Sequence, residues 1–350
     1  INVEEKNLEN IIYFLYDENF NLIGEPIIFD ELIEEFKFAD LGDGVFYYQV
    51  IVIDKVGLEE STEIKRITLD TTLPEVSYTQ HTKRNDSYVN QNYINISVDI
   101  NEENINSVTY ALYDENKELI FDPVEFNEIV EELKFEGLID GTYYYDITII
   151  DKVGLESSTE TRKITLDTTI PKISYTSETP NDGLLSTESN ISIEVEIIEQ
   201  NIEKLIYSLY DSVLNPINQT QFSNANNQLV FEQLNDGIYY YDVELIDKAG
   251  HKNKTGTRSI TIDTTPPIIN YSTGTKKDNF YNNQDSIFIR LNITEPNFEK
   301  VTYDLYNASL KLINRSEYND FVEEITFFNL TEGTYYYNTT VKDKTGLEES

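Results

Sequence analysis

Between residues 93 and 101 apolar and polar positions alternate: Ile94, Ile96, Val98 and Ile100 against Asn95, Ser97 and Asp99. A period of two sends successive side chains to opposite faces, so this stretch predicts a strand with one buried face. The pattern returns at about 106–114, with Val108, Tyr110 and Leu112 inward, and at about 142–150, with Tyr143, Tyr145, Ile147 and Ile149 inward. Shorter strands are expected at about 74–80, 131–137 and 160–167, and short edge strands within the less regular 117–130, which holds Pro123. A single helical turn fits only at Phe126 to Leu133, and nothing here keeps a helical period over any length. About seven strands in fewer than 100 residues predict an immunoglobulin-like β-sandwich.

This unit repeats. Asp54-Lys55-Val56-Gly57 returns as Asp151-Lys152-Val153-Gly154, Asp247-Lys248-Ala249-Gly250 and Asp343-Lys344-Thr345-Gly346, in steps of 97, 96 and 96 residues. Leu15-Tyr16-Asp17 recurs at Leu112, Leu209 and Leu305, and Leu69-Asp70-Thr71-Thr72 recurs at Leu166 and Ile262. Each Asp-Thr-Thr copy is followed by X-Pro (Pro74, Pro171, Pro267), which removes a ladder donor and punctuates a strand. The fold class is therefore an all-β tandem array of immunoglobulin-like sandwich modules of about 97 residues. Boundaries are expected at 1–72, 73–169, 170–265 and 266–350, with module 1 N-terminally and module 4 C-terminally incomplete, as in a window cut from a longer array.

The Asp-Gly turn before Tyr143 has copies before Phe46 and Tyr239, and Glu332-Gly333 precedes Tyr335. A Tyr just past this corner suggests a tyrosine corner. Because Phe46 lacks the hydroxyl, the second tyrosines (Tyr48, Tyr145, Tyr241, Tyr337) are the alternative carriers of that bond. The middle ones (Tyr47, Tyr144, Tyr240, Tyr336) should face outward, as cover for the sheet or as binding aromatics.

The charge is −38, from 26 Lys and Arg against 64 Asp and Glu. That opposes nucleic acid and anionic lipid as partners. No apolar stretch approaches the length of a membrane span, so direct membrane insertion is not expected. The chain has no cysteine, so neither a disulfide nor a thiol nucleophile is available. Aromatics at 12% and periodic apolar positions exclude a disordered acidic tail.

The run 236–267, DGIYYYDVELIDKAGHKNKTGTRSITIDTTPP, resembles the tandem Ig-like repeats of large bacterial and archaeal surface proteins and adhesins. The likeness lies in the Asp-x-Ala-Gly turn and the final strand ending in Asp-Thr-Thr-x-Pro, and it extends to every module. It implies an extracellular, rod-like, non-enzymatic array, often stiffened by calcium at its junctions. One departure is that the repeats usually carry Asn after the turn glycine, where Leu58, Leu155, His251 and Leu347 stand here.

Glu-x-Asn follows the second strand of each module: Glu5-Lys6-Asn7, Glu102-Glu103-Asn104, Glu199-Gln200-Asn201 and Glu295-Pro296-Asn297. In a sandwich this loop, the Asp-Lys loop and the entering chain share one pole. Asp70 is thus expected to meet Glu102, Asn104 and Asp151. Asp167 is expected with Glu199, Asn201 and Asp247, and Asp263 with Glu295, Asn297 and Asp343. Three carboxylates with an amide oxygen and backbone carbonyls suit Ca²⁺, which takes about 6–8 hard oxygens. The plainer alternative is that Asp before x-Gly is ordinary turn chemistry and that Asn and the Thr pair only satisfy loop amides.

Eleven Asn-x-Ser/Thr sequons stand at Asn85, Asn95, Asn190, Asn218, Asn253, Asn270, Asn292, Asn307, Asn314, Asn329 and Asn338. Asn95, Asn190 and Asn292 are placed on the polar face of the second strand and Asn338 on that of the sixth, where glycan acceptors must be exposed. Catalysis finds no support. His81 and His251 each occur in one module, as solvated loop residues, and the acidic motifs recur at each junction rather than once. The expectation is a structural extracellular array: a stalk, surface-layer or filament component of a prokaryotic, archaeal-type cell surface. Its expected partners are copies of itself, other surface proteins or glycans. The alternative is a carbohydrate- or partner-binding adhesin array.

Overall fold

The computed structural model describes residues 1–350, and every regular element is a strand. The chain divides into two compact units, Ile1–Thr168 and Thr169–Ser350.

In the first unit, module 2 is a two-sheet sandwich. The larger sheet runs Val124–Phe126, Ile105–Tyr113, Gly141–Asp151, Arg162–Leu166, Ser87–Val89, with Glu156–Ser158 also on Gly141–Asp151. The smaller runs Glu132–Phe135, Ile94–Asn101, Glu75–Tyr78. Between them lie Ile94, Ile96, Val98, Val108, Tyr110 and Ile147, all fully buried, while Asn95 and Ser97 are part-exposed and Asp99 is exposed. The alternation read from the sequence is therefore the alternation of the fold. Module 1 contributes one five-stranded sheet around Leu8–Tyr16 and Gly44–Asp54, with a small core of Ile11, Tyr13 and Val50.

The second unit repeats the plan. Module 3 pairs a sheet of Lys172–Tyr175, Ile191–Ile198 and Gln228–Phe231 with a larger one built on Ile202–Tyr210 and Gly237–Asp247. Module 4 pairs Ile268–Tyr271, Ile287–Thr294 and Glu324–Phe327 with a sheet built on Phe298–Asn307 and Tyr335–Asp343.

Side chains fix the turns. Asp114 Oδ1 accepts from the amides of Asn116 (2.8 Å) and Glu118 (2.9 Å), and Asp17, Asp211 and Asn307 repeat this. This is why Leu-Tyr-Asp recurs: its third residue caps the turn that follows the strand. The Thr pair also has a partner. Asp140 Oδ1 accepts from Thr168 N (3.0 Å) and Oγ1 (2.9 Å), and Asp43 holds Thr71 and Thr72 in the same way. The end of the last strand is thereby tied to its own module's Asp-Gly turn.

Two expectations are corrected. Residues 126–133 form no helical turn, because Phe126 ends one edge strand and 132–135 is another, pairing with Ile94–Asn101. The second tyrosine does not carry the corner bond. Tyr143, Tyr239 and Tyr335 donate to the carbonyls four residues back (2.8, 3.0 and 2.8 Å), whereas Tyr145, Tyr241 and Tyr337 donate to Lys83, Pro180 and Lys276. The last strand, expected at about 160–167, is present as Arg162–Leu166, and a separate short strand, Glu156–Ser158, precedes it across a break. The break is made by Thr159, whose Oγ1 accepts from Ile147 N (3.1 Å) and donates to the Tyr78 hydroxyl (2.9 Å).

Candidate metal centre

At the pole of module 2 the strand Ile94–Asn101 ends and Glu102 turns the chain, its Oε1 accepting from Asn104 N at 2.5 Å. The carbonyl of Asn104 accepts from Lys152 N at 2.7 Å, which locks this loop to the Asp151 loop. Asp151 Oδ1 accepts from Val153 N and Leu155 N, both at 2.8 Å. Gly154 closes the same turn at φ 91°, where a Cβ would be strained. The ordinary turn reading thus accounts for one carboxylate oxygen.

It does not account for the other. Asp151 is 1% exposed, and its Oδ2 has no hydrogen-bond partner. Around it, Asp70, Glu102 and Asp151 each offer a carboxylate oxygen, all within 4.8 Å of one another. Module 4 repeats the arrangement: Asp343 is fully buried, its Oδ2 is also unpartnered, and it groups with Asp263 and Glu295 within the same 4.8 Å. Asn297 N donates to Glu295 Oε1 at 2.5 Å and Lys344 N to Asn297 O at 2.8 Å, as in module 2, while at Asp343 Oδ1 the Thr345 hydroxyl (2.7 Å) stands in for the amide two residues on.

Burying an unpaired carboxylate oxygen is costly, and crowding three carboxylates adds repulsion. At Glu295 both effects act: burial, then the charges of Asp263 and Asp343, push its carboxyl above the usual carboxylate range. A cation removes both penalties. Oxygens no more than 4.8 Å apart can all lie within about 2.8 Å of a common centre, close to the ~2.3–2.6 Å of Ca²⁺–oxygen bonds. The residues present therefore fit a hard divalent ion.

The asparagines also reach the acids. Asn104 Nδ2 donates to Asp70 Oδ2 and Asn297 Nδ2 to Asp263 Oδ2, both at 2.8 Å. In this structure the amide nitrogen faces the carboxylate in both copies.

In module 3, Asn201 N donates to Glu199 Oε1 at 2.5 Å and Lys248 N to Asn201 O at 2.7 Å, as in the other copies. Here the expectation for His251 is corrected. It is not a solvated loop residue: its side chain is 10% exposed, and Nδ1 lies 2.7 Å from Asp247 Oδ2. Asp167 follows the strand Arg162–Leu166, with its amide donated to Val89 O at 3.0 Å.

The sequons divide by environment. Asn85, Asn218, Asn270, Asn292, Asn314, Asn329 and Asn338 are exposed, while Asn95, Asn190, Asn253 and Asn307 are half-buried. Asn190 stands just before Ile191–Ile198, not on it. The side-chain amide of Asn253 donates to Pro171 O at 2.9 Å, and that of Asn95 to Glu132 at 2.8 Å. Asn270 and Asn292 are direct cross-strand partners on one face. The middle tyrosines are covered in two modules: Tyr47 stacks on Phe20 at 4.2 Å, and Lys117 lies over Tyr144 at 5.3 Å. Tyr336 remains about half exposed.

A family model described as carbohydrate binding module 27 matches residues 40–158. The match begins just before the Asp43-Gly44 turn of module 1 and ends in module 2 after Glu156–Ser158, so it spans the Asp70–Glu102–Asp151 pole. No curated protein matches the chain. Among solved structures, the chain is similar to the fibronectin(III)-like modules of Clostridium thermocellum CbhA, at 13% identity over 54% of this chain and 94% of that one, TM-score 0.31. It is also similar to the FN1–FN3 domains of chicken CNTN1, at 14% identity over 72% of this chain and 90% of that one, TM-score 0.30. No helix is long and apolar enough to cross a membrane.

Proposed function

We propose that the chain is a structural, non-catalytic array of Ig-like modules acting outside a prokaryotic cell, in which Ca²⁺ stiffens the joint between successive modules of a unit. The observation that carries this reading is the buried, unpartnered Oδ2 of Asp151, a residue that groups with Glu102 and, from the preceding module, Asp70, and the same arrangement at Asp343. Each joint is a four-residue linker, Thr71-Thr72-Leu73-Pro74 in the first case. So short a linker buries little apolar area, and an ion shared by Asp70 and Asp151 supplies a constraint that the linker lacks. Copies of the chain or other surface proteins are its partners, and exposed sequons such as Asn270, Asn292 and Asn338 carry glycans in an archaeal setting. Equilibrium dialysis against calcium tests the site: wild type should retain the ion, and Asp151→Asn should lose part of it. Peptide mapping of natively isolated material tests the glycans, and unmodified Asn292 and Asn338 would remove that part of the reading.

A second reading is favoured by one observation, the carbohydrate-binding family match over 40–158. In it the tyrosine-bearing sheet of module 2 binds a glycan. Glycan-array binding that disappears in Tyr144→Ala would select it over the purely structural reading.

A further inference from the structure

We infer that His251 closes the pole of module 3 to the cation, so that the chain takes up two calcium ions, at Asp151 and Asp343, and none at Asp247; this rests on the proposal that those two poles bind Ca²⁺.

The four copies of the Asp-Lys loop share one backbone. Asp54, Asp151, Asp247 and Asp343 each give Oδ1 to the amide four residues on, at 2.8, 2.8, 2.8 and 2.9 Å. Gly57, Gly154, Gly250 and Gly346 all sit at positive φ. The loops differ in the side chain at that fourth position, which is Leu58, Leu155, His251 and Leu347. Leucine has no donor, and at Asp151 and Asp343 the second oxygen is left buried and unpartnered. Histidine has one, and at Asp247 it takes that oxygen at 2.7 Å. The Asp247 side chain is fully enclosed and the imidazole nearly so, so the ring cannot swing aside into solvent without opening the loop.

The consequence for a metal follows from ligand chemistry. A hard cation draws on carboxylate oxygens and gains little from an imidazole. To bind at module 3 it would have to displace a buried hydrogen bond that already satisfies the carboxylate. At the other two poles the Oδ2 of Asp151 and of Asp343 has no bond to give up, and an ion there satisfies an orphaned oxygen. His251 is thus a built-in substitute for the ion at one position of the array.

The test counts ions by isothermal titration of Ca²⁺ into the full chain at fixed pH. Wild type should bind two, Leu155→His one and His251→Leu three. Three ions in wild type, or two in either variant, would overturn the inference while leaving calcium binding intact. No ion in wild type would overturn the underlying reading as well. Thermal unfolding in chelator accompanies each titration. Leu155→His should keep the wild-type midpoint there, which separates loss of the ion from loss of the fold.

Discussion

A single carboxylate with two differently employed oxygens carries most of the chemistry. Asp151 Oδ1 builds its loop, and Oδ2 is left inside the fold beside two more acids. Sandwich topology together with the repeated motifs puts these acids at one pole in the sequence reading, but it cannot show which oxygen is spent on the loop. His251 looked incidental because it occurs in one module, and its contact with Asp247 depends on a side-chain direction that spacing does not give. Other residues take measurable structural roles. Asp304 accepts from Arg315 Nε and Nη2, both at 2.7 Å, and these bonds hold its carboxyl below the usual carboxylate range. A folded pKa below the unfolded one stabilises above the ordinary carboxylate range, and this is lost as pH falls through the lowered value. Asp304→Asn should therefore cost about 1–2 kcal/mol near neutral pH, with Arg315 half-exposed and partly screened, and much less in acid. Chemical unfolding at two pH values measures the difference. Tyr143→Phe, which removes the corner bond to Ile139 O, should cost about 1 kcal/mol in the same assay.

At the scale of elements, the long strands were legible because each buries one face over four or more positions. Ile94–Asn101, Ile105–Tyr113 and Gly141–Asp151 fall within a residue of their expected limits. The shorter strands expected at about 74–80, 131–137 and 160–167 are present as Glu75–Tyr78, Glu132–Phe135 and Arg162–Leu166, but the three-residue pieces Ser87–Val89 and Glu156–Ser158 were not legible. Ser87–Val89 pairs in parallel with Arg162–Leu166 and is too brief to show a period. The break before the last strand depends on Thr159 bridging Ile147 and Tyr78, residues 12 and 81 positions away. Arg162 lies over the Tyr78 ring at 4.0 Å and Arg258 over Tyr175 at 4.3 Å, so the same seam is used in modules 2 and 3. The sandwich predicts a sharp contrast along one strand. Ile96→Ala, which empties a fully buried site, should destabilise module 2 by about 3 kcal/mol, and Asn95→Ala on the opposite face by less than about 1 kcal/mol. Denaturant midpoints of the two variants decide it.

For the whole molecule, a net charge of −38 and the two acidic poles around buried Asp151 and Asp343 make stability in the presence of a cation the test of the proposal. A ligand bound only by the native state stabilises it by mass action, about 2.7 kcal/mol at a hundredfold excess over its dissociation constant. For a module of this size that is a rise on the order of 10 °C in the midpoint. Asp→Asn at each pole removes the buried charge together with the reason to bind. The most direct measurement is therefore scanning calorimetry of wild type and of Asp151→Asn/Asp343→Asn, each with Ca²⁺ and with chelator. The account predicts that calcium raises the wild-type midpoint and leaves the double variant unmoved, and that in chelator the variant is at least as stable as wild type. A wild-type midpoint indifferent to calcium, or a variant that responds equally, would contradict it.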